Sequence, residues 1–462
     1  MIHAYALHGK NIVLDTASGS IHVVDDVAFL AIKTWQSYVD RQSRKMALRE
    51  AFASDTSLTD QEIDALFAAI ESLIKSKKLF APEMVGNLSY EELAARHSEK
   101  RREIKALCLH VSHTCNLTCD YCFAQAGRYH GKEALMPLEV GKRALDFLIA
   151  QSGKRRHLEV DFFGGEPLMN WDVVKELVRY ARAKESESGK QFRFTLTTNG
   201  LLLDDNVIAF CNDEMSNVVL SLDGRRAIHD KLRRTVNGRG SYDVIVPKFQ
   251  DFVRMRGGKN YYMRGTFTHE NPDFLADILH MADLGFYALS MEPVVCDAES
   301  PHALTRADIE TVKEQYEQLA LEMKKRAGQP NAFTFYHYQL DLKHGPCLYK
   351  RLTGCGSGTE YLAVTPMGEL YPCHQFVGDP RFRMGDVWKG VSNNALREDF
   401  RGCSLFKRQE CRDCWAKLFC AGGCAANHYH ASGSIHGLYA DGCELFKKRV
   451  ECALWLHSVK GL

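Results

Sequence analysis

Between residues 107 and 293, six apolar runs of strand character alternate with segments of helical periodicity, and this alternation most narrows the folds open to the chain. The strand candidates are Leu107–Ser112, Leu158–Phe163, Phe192–Thr197, Asn217–Leu222, Tyr261–Phe267 and Tyr287–Pro293. Helical patterns fall between them, near 137–151, 171–187, 203–212, 241–256 and 271–284. Strands separated by helices pair in parallel through right-handed crossovers. The expectation is an α/β domain, either a partial (β/α)6 barrel or an open doubly wound sheet; periodicity does not separate the two.

The flanks read differently. Residues 1–85 carry short strand-like runs at Ile2–Ala6, Asn11–Leu14 and Ile21–Val24, then helical patterns at about 25–40 and 60–77. Thr59 with Glu62 three residues on is a capping-box signature for the second helix. The module has a winged-helix appearance. Residues 86–105 form a linker that ends in the charged run Ser98–Lys105, expected to be exposed. The barrel region spans 106–330 and closes with a helix near 305–327, and 331–462 is rich in Cys, Gly and aromatics with little periodicity. A segment of that length without strong patterning needs bound metal to order it.

Charge excludes some partners. Fifty-nine basic against 58 acidic side chains give a formal net charge of +1, so nothing global attracts nucleic acid or an anionic membrane. Residues 1–90 hold nine Lys/Arg against eleven Asp/Glu, a poor match to a DNA-binding wing, which must neutralise phosphates. No apolar run approaches the roughly 18–20 residues of a membrane span, and the N-terminus lacks signal-peptide order. A cytoplasmic protein is expected.

Sixteen cysteines then need a role. In a large chain of a reducing compartment, clustered thiols read as metal ligands rather than disulfides. The first group, Cys115, Cys119 and Cys122, has the spacing Cys-x3-Cys-x2-Cys directly after the first barrel strand. Three thiolates hold three irons of a 4Fe–4S cubane and leave the fourth open to a chelating substrate. A structural zinc loop completed by His110 or His113 is the competing reading. Polar strand ends follow at Gly164-Gly165-Glu166-Pro167, Thr198-Asn199-Gly200 and Ser221-Leu222-Asp223-Gly224. Such ends are where α/β barrels place chemistry.

Together the cysteine loop and these three strand ends resemble the radical S-adenosylmethionine superfamily over about 105–300. The resemblance implies a partial barrel in which Cys115, Cys119 and Cys122 hold the reducing cluster, followed by Phe123 beside the cofactor. It implies that Gly164, Gly165 and Glu166 serve the methionine amine. Asn199, Ser221 and Asp223 would serve the carboxylate and ribose, with Arg234 as a carboxylate partner or, equally, a solvated charge.

The C-terminal cysteines are spaced Cys355-x12-Gly368-x4-Cys373, then Cys411-x2-Cys414-x5-Cys420-x3-Cys424, then Cys443. Seven exceed one four-ligand site, so two sites with interleaved ligands are expected; two structural zincs are the bland alternative. The pattern resembles the SPASM extension of peptide-modifying radical S-adenosylmethionine enzymes, which implies two auxiliary 4Fe–4S clusters and three in all. By that resemblance Cys355, Cys373 and Cys424 serve the inner cluster and Cys411, Cys414, Cys420 and Cys443 the outer. Cys347 completes the inner cluster, or its place is left to a substrate thiolate. Cys108, Cys211, Cys296, Cys403 and Cys452 are left as core or surface thiols.

Tyr371-Pro372-Cys373-His374-Gln375-Phe376 lacks the acidic residue that the sulfatase-maturing pattern places after this cysteine, and resembles thioether-forming maturases of six-cysteine ribosomal peptides. The N-terminal module resembles the leader-recognition domain of ribosomal-peptide maturases, which binds leader by adding a strand. The resemblance implies a cysteine-rich precursor peptide with a leader, S-adenosylmethionine and an external electron donor as partners, with no nucleic acid and no membrane. Sulfatase-type oxidation of Cys or Ser, or another carbon cross-link, is the alternative.

Overall fold

Alternate residues of the strand Tyr261–Phe267 go to different environments: Tyr261, Met263 and Phe267 are buried in the apolar core, while Tyr262, Arg264 and Thr266 line a cavity. The period of two in a strand produces that partition. The computed structural model describes residues 1–52, 58–100, 103–342, 351 and 354–459, the side chains of 97–100 excepted. Cys347 lies outside the described residues.

The N-terminal module is a three-stranded antiparallel sheet of β1 (Ile2–Leu7), β2 (Lys10–Asp15) and β3 (Ile21–Val24) in that order. Three helices cover one face: α1 (Asp26–Ser37), α2 (Arg41–Ala51) and α3 (Asp60–Lys75). The capping box expected at Thr59 and Glu62 is present in both directions. Ile12, Val13 and Leu14 are all fully buried, as a strand covered on both faces requires. Val13 packs toward the helices, whereas Leu14 meets Val450 and Leu454 of the long C-terminal helix Ala440–Val459.

After the small hairpin of β4 (Met84–Val85) and β5 (Leu88–Ser89), the helix α4 (Tyr90–Lys100) follows. Tyr90, Leu93 and Ala94 pack on Leu405, Phe406 and Leu418. The first part of the expected linker is therefore a docked helix.

The remaining strands are β6 (Ala106–Ser112), β7 (Leu117–Cys119), β8 (His157–Gly164), β9 (Gln191–Thr198), β10 (Met215–Ser221), β11 (Arg233–Thr235), β12 (Tyr261–Phe267), β13 (Ala288–Pro293), β14 (Thr334–Phe335), β15 (Tyr361–Val364), β16 (Glu369–Tyr371), β17 (Gly385–Asp386) and β18 (Gly390–Val391). The main sheet runs β14-β13-β12-β10-β9-β8-β6-β15-β16-β17-β18. From β6 to β13 the neighbours follow chain order and pair in parallel. A doubly wound sheet reverses its order at a switch point; this one does not, so the partial barrel is the architecture. β15 pairs in parallel with β6, and β16 to β18 continue antiparallel. The cysteine-rich segment thus shares a sheet with the barrel.

Candidate active site

At the C-terminal ends of the barrel strands lies a cavity of about 620 Å³, lined by Cys115, Cys119, Cys122 and Phe123, by Gly164, Gly165 and Glu166, and by Asn199 and Ser221. These are the strand ends singled out by the sequence, brought to one place. The cysteine loop is tied to the far side of the barrel because β7 pairs antiparallel with β11, with Cys119 opposite Arg233.

The two glycines permit a close approach of backbones. Gly164 has φ +132°, and a Cβ on it would stand 2.1 Å from the carbonyl oxygen of Ser112; one on Gly165 would stand 2.2 Å from that of Thr114. Any side chain here would push the cysteine loop off the second strand.

Glu166 is buried and already engaged. Its Oε1 accepts from Thr198 Oγ1 at 2.7 Å and Leu168 N at 3.1 Å, and its Oε2 from Asn199 N at 2.8 Å. Burial pushes its carboxyl up to about 7. In this structure the carboxylate holds the end of β9 against β8. Asn199 Nδ2 donates to Asn116 Oδ1 at 2.7 Å, which sets the loop residue after Cys115.

Two of the expected contact residues stand outside the cavity lining. Asp223 is fully buried and does not line the cavity. Its carboxylate accepts from Arg233 Nε at 2.8 Å, Thr266 N at 2.9 Å and Tyr121 Oη at 2.5 Å, so in this structure it positions other groups. Arg234 points outward and pairs with Asp120 at 2.7 Å. The residue of this strand that reaches the cavity is Arg233, one position earlier, because neighbours on a strand face opposite sides.

Sequence reasoning missed the opposite wall: Arg264 and Thr266 of β12, Ser290 and Glu292 of β13, Tyr336, His337 and Gln375. His374, noted only as a departure in the motif, also faces the cavity against Phe123 and Phe163, with ring centroids at 5.6 and 5.2 Å. Burial holds its imidazole down to about 4. Glu292 pairs with Arg449 and with His337, both at 3.0 Å.

The cysteines fall into three neighbourhoods, and those described are free thiols. Burial pushes Cys115 and Cys119 up to about 12, with Cys122 adding to each. Cys373 is raised by burial and then by Cys424 and Cys355. Burial pushes Cys420 up to about 12, and Cys443, Cys411 and Cys414 act on it in the same direction. Three sets of thiols, each holding a buried member raised by its neighbours in the set, fit a cationic group that would deprotonate them. Among the described residues, no three His, Cys, Asp or Glu converge closely enough for a single metal ion. The donor sets fit iron–sulfur clusters, whose ligands sit on separate corners. His110 and His113 bond to each other, Nδ1 to Nε2 at 3.1 Å. Cys403 sits beside His436 Nδ1 at 3.7 Å.

Comparison with known proteins bears on the family and the fold. Residues 109–282 match the Radical SAM superfamily. A cysteine-type anaerobic sulfatase-maturating enzyme of Clostridium novyi is 24% identical over 364 residues, covering 74% of this chain and 92% of that one. The solved structure of anSMEcpe with bound AdoMet superposes with a TM-score of 0.65 at 21% identity, over 77% of this chain and 95% of the other. Streptococcus suis SuiB bound to its precursor peptide SuiA superposes with a TM-score of 0.54 at 16% identity, over 95% and 97%. At these identities the two structures speak for the fold.

Proposed function

From a chain that carries a radical SAM domain and is related to maturating enzymes, we propose a peptide maturase that forms a Cys thioether cross-link in a ribosomally made precursor. The coarser statement, a radical SAM enzyme of the kind that matures peptides or sulfatases, is the premise; the thioether is the added step. Cys115, Cys119 and Cys122 would hold a cluster that, given one electron from the external donor, would cleave bound S-adenosylmethionine to methionine and a 5′-deoxyadenosyl radical able to take a hydrogen from a peptide carbon.

This chain's own residues do the rest. Gly164 and Gly165, which line the cavity and let the backbone before the cysteine loop pack against the second strand, would present bare backbone to the methionine end. Ser221 and Arg233 offer a hydroxyl and a guanidinium to its carboxylate, and Arg233 is held in place by Asp223. Phe123 and Phe163 wall the cavity with apolar surface. The two auxiliary cysteine sets, with Cys347 or a substrate thiolate completing the inner one, would hold clusters that return an electron to an external partner. The edge of β3 would receive the leader as a further strand.

The observation that carries the thioether reading is His374. It faces the cavity where the sulfatase-maturing pattern calls for an acid, and its burial keeps the ring neutral. Similarity to the Clostridium novyi enzyme favours the second reading, oxidation of a Cys or Ser. The test of the radical premise is replacement of Cys115, Cys119 and Cys122 together by Ala. Release of 5′-deoxyadenosine should vanish, and release at the parent rate would refute the assignment.

A further inference from the structure

Among the described residues, the cavity carries one guanidinium without an ion-pair partner. Asp223 is taken by Arg233, Glu292 by Arg449 and His337, and Glu166 by three donors. Arg264, at the centre of β12, lines the same cavity. Among the described residues no carboxylate lies within ion-pair distance of it; its Nη1 donates to the Gly265 carbonyl at 3.1 Å. Burial works against its charge and Glu292 offsets that in part, while Arg449 adds to the repulsion. Arg264 is half-buried, and a guanidinium drawn partly out of water without a carboxylate is costly to fold around. Such a cost is retained where a ligand supplies the missing charge.

Its place tells which ligand. In register, Arg264 stands between Ser221 on one side and Ser290 on the other. Ser290 Oγ meets His337 Nε2 at 3.0 Å, so on that side Arg264 borders the wall built by β13 and His337. The guanidinium next to the cysteines is a different one, Arg233, opposite Cys119. Gln375 lines the same cavity, and its Oε1 is buried with no hydrogen-bond partner among the described residues. A free donor cluster and a free acceptor on one cavity complement a carboxylate and an amide N–H.

We propose that Arg264 anchors a side-chain carboxylate of the peptide, an Asp or Glu next to the reacting residue, and so selects acidic peptide segments. This rests on the peptide-maturase reading. The probes are N-acetylated, C-amidated pentapeptides with one Cys and one Asp at each following position, and their Asn twins. Each is titrated by saturation-transfer NMR into the reconstituted holoenzyme with S-adenosylmethionine. At least one Asp peptide should bind about tenfold tighter than its twin, as a charge-assisted hydrogen bond implies. Arg264→Gln should erase that difference and keep S-adenosylmethionine affinity, while Arg264→Lys should retain part of it. Twins that bind alike in the parent enzyme, including neither binding, would overturn the proposal whether or not the variants fold. A tenfold loss of S-adenosylmethionine affinity in Arg264→Gln would also overturn it, assigning Arg264 to the methionine carboxylate. Failure to release 5′-deoxyadenosine would instead count against the radical reading, since the binding comparison does not require turnover.

Discussion

Arg233 and Asp223 form a buried ion pair, Nε to Oδ2 at 2.8 Å, at the point where the cysteine loop is stitched to the barrel. Burial works to raise Asp223, yet the guanidinium prevails and holds its carboxyl below the usual range. Tyr121, two residues after Cys119, donates to the same carboxylate. One acid therefore positions the cavity's guanidinium and the loop that carries the thiols.

Removing Arg233 leaves Asp223 buried and unpaired, which costs about 3–5 kcal/mol. Arg233→Met should lower thermal stability and weaken S-adenosylmethionine binding at least tenfold. Arg234→Met breaks only a half-exposed pair with Asp120, worth about 0–1 kcal/mol, and should change neither. Equilibrium dialysis of the two variants decides the matter; a larger loss from Arg234 would reverse the assignment of faces.

His229 predicts an acid sensitivity. Its Nδ1 accepts from Asp223 N at 3.3 Å and its Nε2 meets Ser241 Oγ at 2.9 Å, so the neutral ring is built into the Asp223 turn. Burial holds it down to about 4, against an ordinary 6.5. A folded-state value below the unfolded one means that stability is fully present above 6.5 and is lost as pH falls toward 4. That separation is worth at most about 3 kcal/mol. His229→Asn should flatten the fall in unfolding free energy between pH 6.5 and 4.5, measured with urea; an unchanged slope would remove His229 as its source.

Deleting residues 1–85 should do more than weaken peptide binding. His3 stacks on Trp415 with ring centroids at 3.7 Å, Tyr5 Oη donates to the Glu451 carbonyl at 2.8 Å, and Leu14 covers Val450 and Leu454. Trp415 directly follows Cys414, so the deletion bares the surface around the outer cysteine set. The truncated chain should lose iron and solubility together. A stable truncation with full iron content would show that the module is only docked.

Most of the barrel was legible because each strand and helix carries its own periodicity. The strand Tyr261–Phe267 and the helix at 171–188 fall where expected, to within a residue. The helix Arg41–Ala51 was not foreseen: Leu48 is its one buried residue, so no apolar stripe marks it. Arg233 was missed for a different reason. Its strand exists only through pairing with Leu117–Cys119, more than a hundred residues away, and no local pattern announces a three-residue strand. The continuation of the barrel sheet into Tyr361–Val364 depends likewise on a distant partner, Ala106–Leu109. Asp223 read as a turn signal or a ligand, since Asp-Gly is common to both; only burial shows that it serves Arg233.

The central claim is tested by the mass of a cysteine-rich precursor peptide after anaerobic reaction with the reconstituted enzyme, S-adenosylmethionine and a reductant. A loss of two hydrogens is predicted, with one thiol blocked from alkylation even after disulfide reduction and fragments joined at that cysteine. An unchanged peptide alongside continued 5′-deoxyadenosine release, or a product in which the cysteine itself has been oxidised to an aldehyde, would contradict thioether formation.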